Sequence, residues 1–203
     1  MLMRTDRILS FLAHYPFGKA TFMPFTFKLL ATGLIALVCG MGQATAHAED
    51  AGLKPVKVFA VSGTHEGKEV DYVAERKDAT TFYVFLNATD WARPVARFVK
   101  KLDTDVAGGI AGAEDAHVVL VWLSEDAAKG KEYLPKAQMS LSLVRSDWTV
   151  FEGQKAGPDG WNVDIASGLT VVAVQKGKEV GRVAFKSVNE TDVPSAIKLL
   201  KKS

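Results

Sequence analysis

The stretch FYVFLNATDWARPVARFVKKL, Phe82 to Leu102, joins a strand to a helix. Its first part is almost continuously apolar and rich in aromatic and β-branched residues, which is typical of a central strand covered on both faces. We expect the helix to begin near Thr89 or Asp90, either of which could cap it. In the second part, apolar residues recur at helical spacing and define one buried face: Val95, Phe98, Val99 and Leu102.

Further strands and helices are predicted on both sides of this stretch. Upstream, VKVFAVSG from Val56 predicts a strand, and EVDYVA predicts a short exposed strand or extended piece. Downstream, HVVLVWLS predicts a second buried strand, opened by His117. EDAAKGKEYLPKAQMS then predicts a helix that starts near Asp126 and that Pro135 kinks or ends. LSLVRSD predicts a short third core strand.

The C-terminal part predicts an irregular region, a hairpin and a last helix. The irregular region extends from Trp148 to Ser167. LTVVAV and EVGRVAF flank Lys176-Gly177-Lys178, which favours a β-hairpin. DVPSAIKLLKK predicts a terminal helix with Asp192 as its cap. The element order predicts an α/β fold: a central mixed β-sheet flanked by helices on both faces, with a C-terminal β-hairpin plus helix.

The N-terminal residues have the pattern of a secretory signal peptide. A cation, Lys28, precedes an apolar run from Leu29 to Val38, and small residues then lead to Ala46-His47-Ala48. This order of a charged, an apolar and a small-residue segment is typical of a cleaved leader. The apolar run is too short for a spanning helix, so cleavage is favoured over a retained anchor.

We therefore predict two parts of the chain and an exported location. Residues 1–48 form the leader, with cleavage between Ala48 and Glu49, and residues 49–203 form one domain. Met23 is an alternative start of the leader. The predicted location is periplasmic or extracellular, with no membrane association after the leader is removed.

Charge and cysteine content exclude several functions. The chain has 25 cations and 23 anions, and removal of the predicted leader leaves 21 and 22, a net charge of −1. A near-neutral domain lacks the electrostatic footprint of a nucleic-acid-binding protein. The only cysteine, Cys39, lies in the predicted leader. The domain itself therefore has no thiol.

Three segments resemble the thioredoxin superfamily, in its larger redoxin or peroxiredoxin-like form. The first is the opening stretch, Phe82 to Leu102, and the other two are HVVLVWLSED and WNVDIASGLTVVAVQKGKEVGRVAF. In the first, WARPV is similar position by position to the W-C-G-P-C motif that follows a buried strand in thioredoxins. The resemblance implies a thioredoxin-like fold over nearly all of residues 49–203.

The same resemblance implies that the redox site has been lost. Ala92 stands where the motif has its nucleophilic cysteine, and Val95 stands at the second cysteine. The peroxiredoxin pattern P-x-x-x-[T/S]-x-x-C places a cysteine three residues after a threonine or serine. Here Thr89 matches that threonine, and Ala92 again stands in place of the cysteine. The position of the thioredoxin cis-proline is Leu169, before Thr170, where we expect a trans peptide.

Other chemistry is less favoured by the residues present. His65 and His117 are the only histidines of the predicted domain, and we interpret them as surface or strand-edge residues rather than a metal pair. No G-x-S-x-G motif or phosphate-binding loop is present. Asp103 and Asp105, near a helix end, are better explained by capping and solvation than as paired acid–base carboxylates. Asn87-Ala88-Thr89 and Asn189-Glu190-Thr191 match the glycosylation sequon by chance.

Two hypotheses for the function follow. The first is a non-catalytic, exported thioredoxin-like module, without a cofactor or metal, that binds an unknown envelope protein or peptide or has a structural role. The second is a small-molecule or anion-binding protein, or an enzyme, that uses a non-thiol site at the helix N-terminus. Trp91 is either an exposed contact point or packed under the region 148–167. The candidate interaction surface comprises Thr89, Asp90, Trp91, Arg93 and Thr170.

Overall fold

The computed structural model describes residues 52–153 and 155–202. The predicted leader, with Cys39, lies outside the described residues. Within them, no helix is long and apolar enough to cross a membrane. The strands are β1 (Lys57–Ala60), β2 (Glu69–Asp71), β3 (Thr81–Asn87), β4 (His117–Leu123), β5 (Ser146–Phe151), β6 (Leu169–Gln175) and β7 (Lys178–Phe185). The α-helices are α1 (Tyr72–Arg76), α2 (Arg93–Ala107), α3 (Ala127–Leu141) and α4 (Val193–Ile197).

The seven strands form one mixed sheet in the order β2-β1-β5-β4-β3-β6-β7. Strands β3, β4 and β5 are parallel to their neighbours in this central trio, while the remaining pairs are antiparallel. β3 is buried along almost its whole length between β4 and β6. The prediction of an α/β fold with a central mixed sheet is confirmed.

The two faces of the sheet are covered unequally. Helices α2, α3 and α4 contribute to one apolar core. The crossovers β3-α2-β4 and β4-α3-β5 advance in the same direction along the sheet, and because parallel crossovers are right-handed as a rule, α2 and α3 lie on the same face. The other face is covered by the short helix α1 and the loop after β5. Trp161 of that loop packs 4.9 Å from Tyr83 and 5.4 Å from Phe85, measured between ring centroids.

The segment EVDYVA is a strand only in its first half. β2 ends at Asp71, whose Oδ1 accepts hydrogen bonds from the backbone N–H groups of Val56 and Val73. This carboxylate caps α1, and Tyr72 at the start of the helix is buried. The prediction of a short exposed strand or extended piece is confirmed for Glu69–Asp71 and wrong from Tyr72 onwards, because a local side-chain cap starts a helical turn there.

Helix α3 extends over the predicted segment and is not ended by Pro135, and the strand after it begins later than predicted. Asp126 caps the helix as expected, but the helix continues past Pro135 to Leu141. LSLV is therefore not a strand, and β5 begins at Ser146. Trp148 belongs to β5 and is buried, so the irregular region starts only after Phe151.

The C-terminal hairpin is confirmed, while the last helix is interrupted. Lys176 and Gly177 both have positive φ, 51° and 71°, as a two-residue type I′ turn requires. α4 is followed by a 3₁₀ segment, and a 3₁₀ turn precedes it. Asn189 caps that first turn, and Asp192 accepts a hydrogen bond from the Asn189 N–H, which completes a capping box. Asp192 is the N-cap residue of α4, as predicted, but its side chain makes no capping hydrogen bond there, and the prediction of one continuous helix is wrong.

Candidate functional site

The junction between β3 and α2 contains an extra 3₁₀ turn, Ala88–Asp90. Asn87 Oδ1 caps this turn by accepting from the Thr89 N–H at 3.3 Å and from its hydroxyl at 3.0 Å. α2 begins only at Arg93, with Ala92 as its N-cap and no side-chain hydrogen bond there. The expectation that Thr89 or Asp90 caps α2 is wrong. Pro94, in the first turn, favours the later start because its fixed φ suits that position.

Ala92 lies at the start of α2, where the helix terminus creates a positive electrostatic potential. It is exposed, has extended backbone angles and precedes a helix of 15 residues. The free N–H groups and the dipole at such a helix start stabilise negative charge nearby. A methyl group cannot carry that charge. The geometry that would activate a thiol is present here, and the side chain that would use it is not.

Trp91 is half-buried and is held by three other aromatic residues. Its ring lies edge-on to Trp122, at a centroid distance of 5.8 Å, and to Trp148, at 5.4 Å. Its Nε1 donates a hydrogen bond of 2.7 Å to the hydroxyl of Tyr133. Close approach of α3 to this cluster requires Gly130, where a Cβ would lie 3.0 Å from Trp122 Cδ1. Trp91 is therefore anchored by α3, β4 and β5, not by the loop after β5.

We predict that Trp91→Ala destabilises the protein by about 2 kcal/mol, because a half-buried ring loses apolar burial and two edge-to-face contacts. Tyr133→Phe is the matched control, since it removes only the hydrogen bond, and should cost roughly 0.5–1.5 kcal/mol. Urea unfolding followed by far-ultraviolet circular dichroism measures both values. Equal costs for the two variants would contradict the packing role of the Trp91 ring.

A small groove separates the start of α2 from the start of β6. Its volume is about 170 Å³, and Asp90 and Leu169 are among its lining residues. Gly168 allows the close approach, since a Cβ there would lie 3.0 Å from Asp90 Cβ. The peptide before Leu169 is trans, as expected. At the neighbouring turn, a hydrogen bond from the Ser167 hydroxyl holds the pKa of Asp164 below its usual range.

Thr170 does not join the other predicted surface residues. It alternates with Leu169 and Val171, which face the core under α2, and so it points to the opposite face of the sheet. Thr170 is buried, and its hydroxyl has no hydrogen-bond partner among the described residues. Asp90, Arg93 and the half-buried Trp91 lie around the start of α2, and Thr89 is exposed on the preceding turn.

Residues of α3 complete the surface beside Trp91, and the sequence did not single them out. A groove of about 400 Å³ between α2 and α3 is lined by Trp91 and Arg93 on one side and by Tyr133 and Lys136 on the other. Tyr133 is 45% exposed, so the aromatic cluster reaches the surface there. The sequence predicted a helix in this segment, but a predicted helix alone does not indicate which other helix it packs against.

Both histidines of the described residues lie near Tyr72, and His117 opens the central strand β4 at the end opposite to the start of α2. His117 Nε2 is 3.3 Å from Asp147 Oδ2, which also accepts the Tyr72 hydroxyl at 3.1 Å. Burial, and then the Asp147 carboxylate, raise the pKa of Tyr72 well above its usual range. His65 instead pairs with Glu75 at 3.1 Å. No group of three metal-binding side chains occurs in residues 52–153 or 155–202.

Comparison with known proteins shows similarity in structure only. A DsbF homologue from Corynebacterium diphtheriae superposes with a TM-score of 0.54 at 14% identity, over 82% of this chain and 99% of that one. A secreted thiol-disulfide isomerase from Corynebacterium glutamicum gives 0.51 at 13% identity, over 73% and 85%. A yeast mitochondrial 1-Cys peroxiredoxin gives 0.52 at 9% identity, over 75% and 74%.

These likenesses establish the fold. The chain has a thioredoxin-like fold, as the segment WARPV and its flanking strands predicted. No protein-family model matches the chain, and no curated protein sequence is similar to it. At such low identity the similarity carries no information on activity.

Proposed function

We propose that this chain is an exported, redox-inactive thioredoxin-like domain that binds a protein or peptide of the cell envelope through the surface around Trp91 and Arg93. The observation that carries the proposal is Ala92 at the N-cap of α2. The strand, turn and helix that position a catalytic thiol are present, while the one cysteine of the chain is Cys39, in the predicted leader. Thiol–disulfide exchange and peroxide reduction both require a thiolate at the site.

The surroundings of Trp91 support a binding role. Its edge-to-face contacts with Trp122 and Trp148 and its bond to Tyr133 fix the ring before any partner arrives. A preformed aromatic surface loses little conformational entropy on binding, and aromatic and arginine side chains are enriched at binding hot spots. Arg93 is exposed beside it. Export is supported by the leader pattern, and one structure with the same fold is described as secreted.

The alternative, a small-anion site at the start of α2, is supported less well. Arg93 and the free N–H groups of the helix start would favour an anion. However, Pro94 contributes no N–H in the first turn, and the carboxylate side chain of Asp90 lines the groove next to it. A negative side chain at the entrance opposes binding of a second negative charge.

We predict that the full chain reduces neither insulin disulfides nor hydrogen peroxide above the rate of the buffer with the same reductant. The physical reason is the lack of a thiol at position 92 or 95. Cys39→Ser is the control that removes the remaining thiol and should behave identically. Turnover that persists in Cys39→Ser would overturn the proposal, because a non-thiol catalytic site would then exist.

The binding role is tested by affinity capture of envelope proteins. The Arg93→Ala variant should no longer capture the specific partner.

A further inference from the structure

The groove between α2 and α3 continues along the outer side of α2. The cavity of about 400 Å³ beside Trp91 shares Arg93, Ala96 and Leu141 with a second cavity of about 470 Å³. The two cavities therefore adjoin at these three residues, and we refer to them together as the α2–α3 groove. Its apolar lining comes from small and aliphatic side chains of the two helices: Ala92, Ala96, Ala137 and Leu141.

The charges of the α2–α3 groove are almost all positive. Glu190 is the one carboxylate among its lining residues. The cations are Arg93, Arg97, Lys100, Lys101 and Lys136. Arg93, Arg97 and Lys100 follow one another at helical spacing and form a stripe along α2.

Part of this positive charge is already balanced, and part is not. Arg97 pairs with Glu190 at 3.2 Å, Lys101 pairs with Asp105, and Lys136 lies 3.4 Å from Glu132. Lys100 donates to a backbone carbonyl, that of Ser142, which does not neutralise it. Arg93 has no ion-pair partner within the described residues. Two uncompensated cations thus line one groove of a predicted domain whose net charge is −1.

One end of the α2–α3 groove is aromatic. Tyr133 lines the groove beside Trp91, and the hydrogen bond from Trp91 Nε1 holds its hydroxyl in place. A partly exposed, fixed ring of this kind accepts an apolar or aromatic side chain with little ordering cost. The groove therefore combines a positive wall on α2 with an apolar contact point at the Tyr133 end.

We propose that the α2–α3 groove binds an acidic peptide segment, with carboxylates on the Arg93–Lys100 stripe and an apolar side chain against Tyr133. This inference rests on the proposed function and specifies the chemistry of its partner. A peptide is favoured over an anionic lipid surface because, at the Tyr133 end, residues of α3 form a second wall opposite α2. An extended or helical peptide can enter such a trough, whereas a planar headgroup layer contacts a protruding face.

The test is fluorescence anisotropy with the full chain and two labelled peptides. In one peptide Glu alternates with Leu and Phe, and in the matched peptide Lys replaces every Glu. We expect binding of the acidic peptide only, with affinity that falls as salt is raised. Arg93→Glu combined with Lys100→Glu should weaken binding at least about tenfold, since charge reversal replaces attraction by repulsion. Lys68→Glu combined with Lys198→Glu changes the net charge equally outside the groove and should leave the affinity unchanged.

Three results would overturn the inference. These are equal affinity for both peptides, an equal loss in both double variants, or no peptide binding together with binding to vesicles that contain phosphatidylglycerol. Arg93→Glu alone, with unchanged circular dichroism, must also weaken binding, so that misfolding of the double variant cannot account for the loss. If the acidic peptide fails while Arg93→Ala still abolishes capture of an envelope protein, the proposed function stands and only the acidic chemistry is wrong.

Discussion

Replacement of Asp103 by alanine should destabilise the protein by about 3 kcal/mol or more, the largest loss that we expect from a single polar side chain. Asp103 is 1% exposed, and its carboxylate accepts hydrogen bonds from the chain segment that leads into β5. Oδ1 accepts from the Arg145 N–H at 2.8 Å and from the Ser146 hydroxyl at 2.7 Å, and Oδ2 accepts from the Val144 N–H at 3.1 Å. Alanine would leave these donors without an acceptor in a partly buried place.

Asp105→Ala is the matched control for this prediction. Asp105 lies on the same helix, is more exposed and pairs only with Lys101 one turn away. Such a surface pair contributes roughly 0–1 kcal/mol. In thermal unfolding, the Tm of Asp103→Ala should therefore be lower than that of the unsubstituted protein by roughly 6–12 °C, and the Tm of Asp105→Ala should barely change. Similar shifts in the two variants would show that the Asp103 hydrogen bonds do not stabilise the fold.

The burial of Asp103 could have been predicted from the sequence, but its hydrogen-bond partners could not. Capping and solvation near the helix end were the expected explanation, yet Asp103 lies one helical turn after Val99, on the buried side of α2. That periodicity was a usable signal that the carboxylate is not solvated. Its partners, 41 to 43 residues further along the chain, had no such signal. The predicted strand LSLVRSD failed for the same reason, because Asp103 binds the residues before Ser146 in an irregular conformation.

The core strands and the hairpin could be predicted because their signals are local. β3 and β4 are apolar runs of strand length between turn residues, and the Lys176-Gly177 turn determines the register of β6 and β7. The predictions failed where several neighbouring residues could cap a helix, as at the start of α2 and at the C-terminal helix. Asn87 and Asn189 both accept from the N–H and the hydroxyl of the threonine two residues later. Both sequon matches are therefore capping motifs of 3₁₀ turns.

The candidate site could be predicted only on the side that one continuous segment builds. Trp91 and Arg93 follow β3 directly, so their position at the start of α2 followed from the local pattern. Tyr133 and Lys136 reach the same groove from α3, and only the crossover topology places α3 beside α2. Thr170 was misplaced because a strand's side chains alternate, and a neighbour of Leu169 must face the other side of the sheet.

A cysteine placed at Ala92 should ionise far more readily than an ordinary thiol. The N-cap position combines free backbone donors with the positive end of a 15-residue helix, and both stabilise a thiolate. We expect Ala92→Cys, in a Cys39→Ser background, to have a thiol pKa near or below about 7.5, against about 8.5 for an unperturbed cysteine. Absorbance of the thiolate near 240 nm, followed against pH, measures this value.

Ala107→Cys is the matched control, because Ala107 is also exposed and is the last residue of the same helix. There the negative end of the helix dipole opposes ionisation, so the pKa should be at or above about 8.5. A lowered pKa at position 92 and not at 107 would mean that the fold keeps the electrostatics of a thiol site without its sulfur. Equal values at both ends would instead mean that the 3₁₀ turn and Pro94 have changed the helix start, and that loss of redox chemistry here involves backbone geometry as well as the side chain at position 92.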